Sequence, residues 1–423
     1  MKNKLNILGI IPNTLIIIAM IMAINGIPNQ LIVMAVAVLI MIFGTSTIFL
    51  IQQNRVKPST KWLNILAYIS LFIFLLSYYM YLVNFPMLGF IPFGIISLIS
   101  GMLISLYIFH KLFKKLLSIT KLSFLHHFIL FIILLYIALP VNNQLADKYY
   151  YPNIENPAYK ENNGPLIYFD AGHNNFHTLD GRLYSTGHLL EQDGYRVLSY
   201  NQKIQIDSLA KCKIYAIFNS LNKDDNDSLP TKSAFTQKEI SDIVEWVKNG
   251  GSLFLVADHM PFAGAASDLA SKFGFEYENG HAEHFSDNPD YFYRANKTLG
   301  DNAITNGRNS NENIDSILTF RGSAIKIPQD ATPILSFDTT WKNFNPNIAW
   351  EYKGIEPFSI NGYSQGAYKE YGKGRVVVFG EAMMFTAQLG GGLSFIKIGM
   401  SSSNCPDNHK LLLNIIHWLD GLI

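Results

Sequence analysis

The feature that most constrains this chain is a run of five long apolar stretches before residue 142. They fall at about 7–24, 31–51, 62–83, 87–110 and 122–141. Each is close to the roughly 20 residues that an α-helix needs to cross a hydrocarbon core about 30 Å thick. The first lacks a clear small-residue cleavage site and four more follow, so it reads as retained rather than as a removed leader. Lys2 and Lys4 precede the first stretch. Arg55, Lys57 and Lys61 lie between the second and third, and Lys111, Lys114, Lys115 and Lys121 between the fourth and fifth. The alternate connections carry no charge. Basic loops stay in the cytoplasm, which predicts an inside amino terminus, five spans in a cell membrane and an extracytoplasmic remainder. No Asp, Glu, Lys or Arg falls mid-stretch, so an anchor or docking surface in the lipid bilayer is expected rather than an ion path.

Residues 1–141 are thus read as a five-helix transmembrane region. Residues 142–163, polar with two prolines and a tyrosine run, are read as a linker, and 164–423 as one α/β domain. The formal net charge of the chain is +1, which gives no electrostatic case for nucleic acid. Cys212 and Cys405 are the two cysteines; their spacing does not demand a bridge and has no zinc-site pattern.

In the second half, strands and helices alternate. Residues 165–170, 195–199, 213–219 and 252–257 read as strands, and 182–192, 235–249 and 408–422 as helices. Residues 367–381 read as a hairpin. The alternation argues for a mainly parallel, three-layer αβα sheet. Between about 280 and 366 the rhythm is lost in Asn-rich segments, which are expected to form an inserted or edge subdomain.

Open parallel sheets bind ligands at the carboxyl ends of their strands, and three predicted strands end in ionisable residues. The first runs IYFDAGHNNFHTLDGR, with Asp170, His173 and His177 followed by Asp180 and Arg182. The second ends at Asp258 and His259, and the third at Glu381. Downstream, GHAEHFSD offers His281 and His284 on a loop. Asp170, His173, His177, Asp258, His259 and Glu381 are the candidate catalytic set, because a carboxylate can orient an imidazole that titrates near neutrality. His173, His177, Asp258 and His259, with His281 and His284, are also candidate ligands for a divalent metal such as zinc, manganese or iron. The central placing of the first and 252–257 strands predicts that His173 and His259 lie within roughly 10 Å, since neighbouring strands are about 4.8 Å apart.

DAGHNNFHTLDGR, VADHMPFAGAASDLASKFGF, YGKGRVVVFGEAMMFTAQ and the closing DNHKLLLNIIHWLDG together resemble the class I glutamine-amidotransferase-like superfamily. More distantly, they resemble the GldG-like components of gliding-motility transporters. The resemblance covers about residues 164–423 and implies a flavodoxin-like αβα sandwich. True amidotransferases place a cysteine at the strand–turn–helix elbow. Here the elbow reads Ala257-Asp258-His259-Met260, so a thiol-based glutaminase is not expected. Two functions remain: a hydrolase working through the Asp/His/Glu cluster, or a non-catalytic module that binds glycan or an envelope partner.

Overall fold

The computed structural model describes residues 18, 144–223, 229–286, 289–390 and 396–423. The chain divides into two units. One comprises residues 1–144 with 390–396, the other 145–389 with 397–423. Apart from Ile18, the five apolar stretches lie outside the described residues. Among the described residues no helix is long and apolar enough to cross a membrane. The helical membrane bundle of the expected fold class therefore has no counterpart there.

The second unit is built on a nine-stranded sheet. In chain order its strands are β1 (Leu166–Asp170), β2 (Arg196–Tyr200), β3 (Ile214–Phe218), β4 (Ser252–Val256) and β5 (Glu276–Tyr277). They continue with β6 (Ile325–Lys326), β7 (Thr332–Ser336), β8 (Ser364–Tyr371) and β9 (Gly374–Phe379). The order across the sheet is β2-β1-β3-β4-β9-β8-β6-β5, with β7 also paired to β8. β3 and β4 are charge-free and buried at every position, as strands covered on both faces must be. Alternation then sorts their side chains. Ala216, Phe218, Phe254 and Val256 enter one apolar cluster; Tyr215, Ile217, Leu253 and Leu255 enter the other.

Six α-helices are present among the described residues: α1 (Tyr184–Gln192), α2 (Ile206–Leu209), α3 (Gln237–Lys248), α4 (Phe262–Ser271), α5 (Ala303–Asn306) and α6 (Asn408–Asp420). Leu189 and Leu190 of α1, with Leu411 and Ile415 of α6, join the first cluster; Ile240, Ile243 and Val247 of α3, with Leu269 of α4, join the second. Each such fully buried aliphatic or aromatic side chain contributes about 1.5–3 kcal/mol. A capping box starts α3: Glu239 N–H donates to Thr236 Oγ1 at 3.3 Å, and Thr236 N–H to Glu239 Oε2 at 2.9 Å. This satisfies two of the helix's orphan donors.

The expectation of a mainly parallel, flavodoxin-like sandwich is corrected here, because the sheet is mixed. The pairings β2–β1, β1–β3, β3–β4 and β4–β9 are parallel. The pairings β9–β8, β8–β7, β8–β6 and β6–β5 are antiparallel. Helical crossovers, which parallel neighbours require, supply the chain only as far as α4. Beyond it β5 and β6 are two-residue strands and the β8–β9 link is a hairpin, which forces antiparallel pairing. Residues 280–366 are accordingly divided. β6, β7 and the start of β8 extend the main sheet, while His281–His284, Trp341–Phe344 and Phe358–Ser359 form a small sheet of their own.

Residues 145–164 form a strap on this unit. Leu145–Ala146 pairs antiparallel with Leu389 and Gln388. Ala158 N–H donates to Asp193 Oδ1 at 2.7 Å, and Tyr159 O–H to Asp420 Oδ2 at 2.5 Å. At Gly194 the backbone has φ +92°, and a Cβ there would stand 2.3 Å from Tyr159 O. Only glycine lets the strap approach so closely.

Candidate functional site

The carboxyl ends of β1, β3, β4 and β9 lie side by side. Phe218, Val256 and Phe379 are in register across three of them, so Asn219, Asp258 and Glu381 follow just beyond one line.

Asp170 and His173 are brought together but turned inward. His173 Nδ1 lies 2.9 and 3.0 Å from the two Asp170 oxygens, and Nε2 lies 3.3 Å from Glu239 Oε1. Burial alone would lower the imidazole pKa; the bonds and charges of Asp170 and Glu239 outweigh it, and the net shift is upward. Asp170 also accepts from Tyr215 O–H and Asn175 Nδ2, both at 2.9 Å. With both ring nitrogens held by carboxylates, His173 is a buried cation that ties β1 to α3. His177, not His173, is the histidine whose titration is lowered by the charge of His259.

His177 Nδ1 lies 3.0 Å from Asn219 Nδ2. Asn219 Oδ1 accepts from Asp258 N–H at 2.8 Å, which fixes the amide so that Nδ2 donates and His177 Nδ1 accepts. Burial, then the positive charges of Arg182 and His259, pushes the His177 pKa down to about 3, so the ring is neutral with its proton on Nε2. Asn219 itself has φ +45°, a left-handed conformation that Asn tolerates better than most residues.

His259 donates Nδ1–H to the Met260 carbonyl at 2.9 Å, while its Nε2 stands 3.8 Å from Asp258 Oδ1. Its ring lies 4.6 Å from Trp350, 5.9 Å from His281 and 6.1 Å from Phe262, centre to centre. Phe176 continues the aromatic belt, 5.5 Å from Phe262 and 5.3 Å from His177. Phe176 and Trp350 are 53% and 48% exposed, a high exposure for rings packed against buried histidines.

His281 and His284 sit on a strand rather than a loop, and alternation along it sends them to opposite faces. His281 joins the belt. Arg321 Nη1 donates to its Nε2 at 3.4 Å, leaving the proton on Nδ1, a buried atom with no partner. Burial, then His259 and Arg321, lowers its pKa to about 4. His284 stacks on Trp341 at 4.7 Å and faces Asp290 at 3.6 Å, away from the belt.

Glu381 is fully buried and accepts from the backbone N–H groups of Met383 and Met384. It thereby caps the 3-10 turn Met383–Phe385. Burial, then the neighbouring Asp258 charge, raises its pKa well above the carboxylate range. Among the described residues no group of three His, Cys, Asp or Glu side chains is placed to hold a metal ion. His173, His177, Asp258, His259, His281 and His284 therefore do not form the expected ligand set. Cys212 and Cys405 are free and buried, their thiols pushed up to about 12 and about 11 by desolvation.

Asn219, Phe176, Trp350 and Arg321 also shape the site, although sequence spacing alone does not select them. Asn219 carries a signal of its own: an Asn closing the apolar run IYAIF, where the chain needs a left-handed turn.

No family model and no curated protein sequence matches this chain. Among solved structures it is similar to the mmIFT52 N-terminal domain, at 13% identity and TM-score 0.44, over 60% of this chain and 97% of that one. It is also similar to a putative GMP synthase component from Thermoplasma acidophilum, at 9% identity and TM-score 0.33, over 59% and 92%. A third is the exo-beta-1,4-mannosidase Op5Man5 from Opitutaceae bacterium strain TAV5, at 14% and 0.29, over 52% and 31%. Likenesses of this order carry no argument about function.

Proposed function

We propose that the strand-end region is a ligand-binding site, and that the second unit is a non-catalytic module recognising an oxygen-rich ligand of glycan type. One observation carries this reading: two exposed aromatic rings, Phe176 and Trp350, flank a belt of histidines whose polar atoms are fixed in orientation. Ring faces of this kind pack against the C–H faces of sugars, while oriented donors and acceptors select hydroxyl positions. The expected catalytic residues favour binding over turnover. His173 spends both nitrogens on carboxylates, and Glu381 spends its oxygens on backbone amides. The resemblance to glutamine-amidotransferase-like domains is compatible with this reading as a proposed ancestry, with Asp258 and His259 where a nucleophile would stand. A hydrolase is the second reading. It is favoured by His259, whose Nδ1–H is committed to a carbonyl so that Nε2 is left as a base beside Asp258.

The test is titration of the purified full-length chain with a panel of oligosaccharides, followed by intrinsic fluorescence and by product analysis. Saturable binding that is lost in Trp350→Ala, without product, is expected. Product whose release is abolished by His259→Asn would replace binding by hydrolysis, and absence of saturable binding to any member would remove the glycan reading.

A further inference from the structure

We propose that the ligand carries an oxyanion (carboxylate, sulfate or phosphate) and that Arg182 is its anchor. This rests on the reading of the strand-end region as a binding site. Arg182 lies just before α1, half-buried, with its guanidinium carbon 4.1 Å from the centre of the Phe176 ring. Its Nε is buried and has no hydrogen-bond partner. The neighbouring carboxylate, Asp180, is engaged by Thr178 Oγ1 at 2.5 Å. The other arginines of the unit are all engaged: Arg294 pairs with Asp301, Arg308 with Glu312 and Arg321 with Glu283, while Arg196 and Arg375 donate to backbone carbonyls. Among the described residues Arg182 has no ion pair. A half-buried cation without a counter-charge is costly to keep, and the Phe176 ring face offsets only part of that cost.

The surroundings complete an anion site. His177 is neutral and accepts through Nδ1 from Asn219, so its Nε2–H is a donor. Ser220 Oγ, one residue beyond Asn219, is a further buried polar atom with no partner. A guanidinium presents parallel N–H bonds that match the two oxygens of a carboxylate, sulfate or phosphate. Phe176 links this end of the belt through Phe262 to His259 and Trp350. An acidic sugar would thus stack on the belt with its anion on Arg182.

The experiment uses the full-length chain, wild type and Arg182→Gln, with three probes: oligogalacturonate, its neutral methyl ester, and inorganic sulfate. Wild type is expected to bind the acid at least about tenfold tighter than the ester, as a charge-assisted pair implies, and to melt higher in sulfate. Arg182→Gln should abolish both the preference and the sulfate shift while still binding the ester. Equal affinity for acid and ester in wild type overturns the anion anchor and leaves the glycan reading standing. A sulfate shift that depends on Arg182, with neither sugar bound, keeps the anchor and removes the glycan reading. A preference or shift that survives in Arg182→Gln overturns the anchor, and silence from all three probes overturns both.

Discussion

Replacing His173 by Gln tests whether the Asp170–His173–Glu239 sandwich holds β1 to α3. The side chains of the triad are nearly inaccessible, and the histidine contacts its two carboxylates at 2.9 and 3.3 Å. Removing one partner from a buried ion pair costs about 3–5 kcal/mol. The lower figure applies here, because Asp170 keeps Tyr215 and Asn175 and Glu239 keeps its Thr236 bonds. The loss should therefore be about 3 kcal/mol at pH 6. Because the folded-state pKa of His173 is raised, its contribution is complete below the unfolded value of about 6.5 and is lost as pH rises through the folded value. Wild-type stability should then fall above pH 6.5 by up to about 1.4 kcal/mol per pH unit, and the gap to His173→Gln should close. Urea unfolding followed by tryptophan fluorescence reads this directly, since Trp246 lies on α3. A loss below about 1 kcal/mol at pH 6, or a gap that does not change with pH, would refute the reasoning.

Two further substitutions separate structure from recognition. Glu381→Gln should lower stability by about 1 kcal/mol, because one of two backbone amides loses its acceptor, and should leave ligand affinity within about twofold; lost binding with an unchanged melting temperature would place Glu381 in the site. Asn219→Gly and Asn219→Ala both sever the bridge from His177 to Asp258, but only Ala must hold φ +45° with a Cβ. The Ala variant should melt lower, by the equivalent of about 1 kcal/mol, and equal melting would mean that the backbone strain is negligible.

The sequence disclosed the strands best where burial is uniform. β3 and β4 are charge-free on both faces, and a run of that kind has few alternatives. The direction of pairing was legible at the 367–381 hairpin, where β8 and β9 run antiparallel, but hidden elsewhere on that side of the sheet, because period-2 alternation in β7 looks the same beside a parallel or an antiparallel neighbour. The site was legible as a place, the strand ends, more than as a set of residues. His173 and His177 are equivalent in sequence, yet one meets Glu239 from a distant helix and the other meets Asn219 from the next strand. Partners 66 and 42 residues away cannot be read from local spacing. Arg182 was visible as a charge, but its lack of a partner is a property of the assembled fold. The apolar stretches before residue 142 lie outside the described residues, Ile18 excepted.

The strap at 145–164 sets a mechanical path. Tension entering from residue 144 meets first the short pairing of Leu145 and Ala146 with Leu389 and Gln388, and then the contacts of Ala158 and Tyr159 with Asp193 and Asp420. Asp193 also grips His417 at 2.6 Å, so the pull is shared between the end of α1 and the last turns of α6. None of these anchors touches the aromatic belt. The strap is thus a load path into the seam of α1 and α6, joined on the way by Ser185 of α1, whose hydroxyl donates to the Asp147 carbonyl.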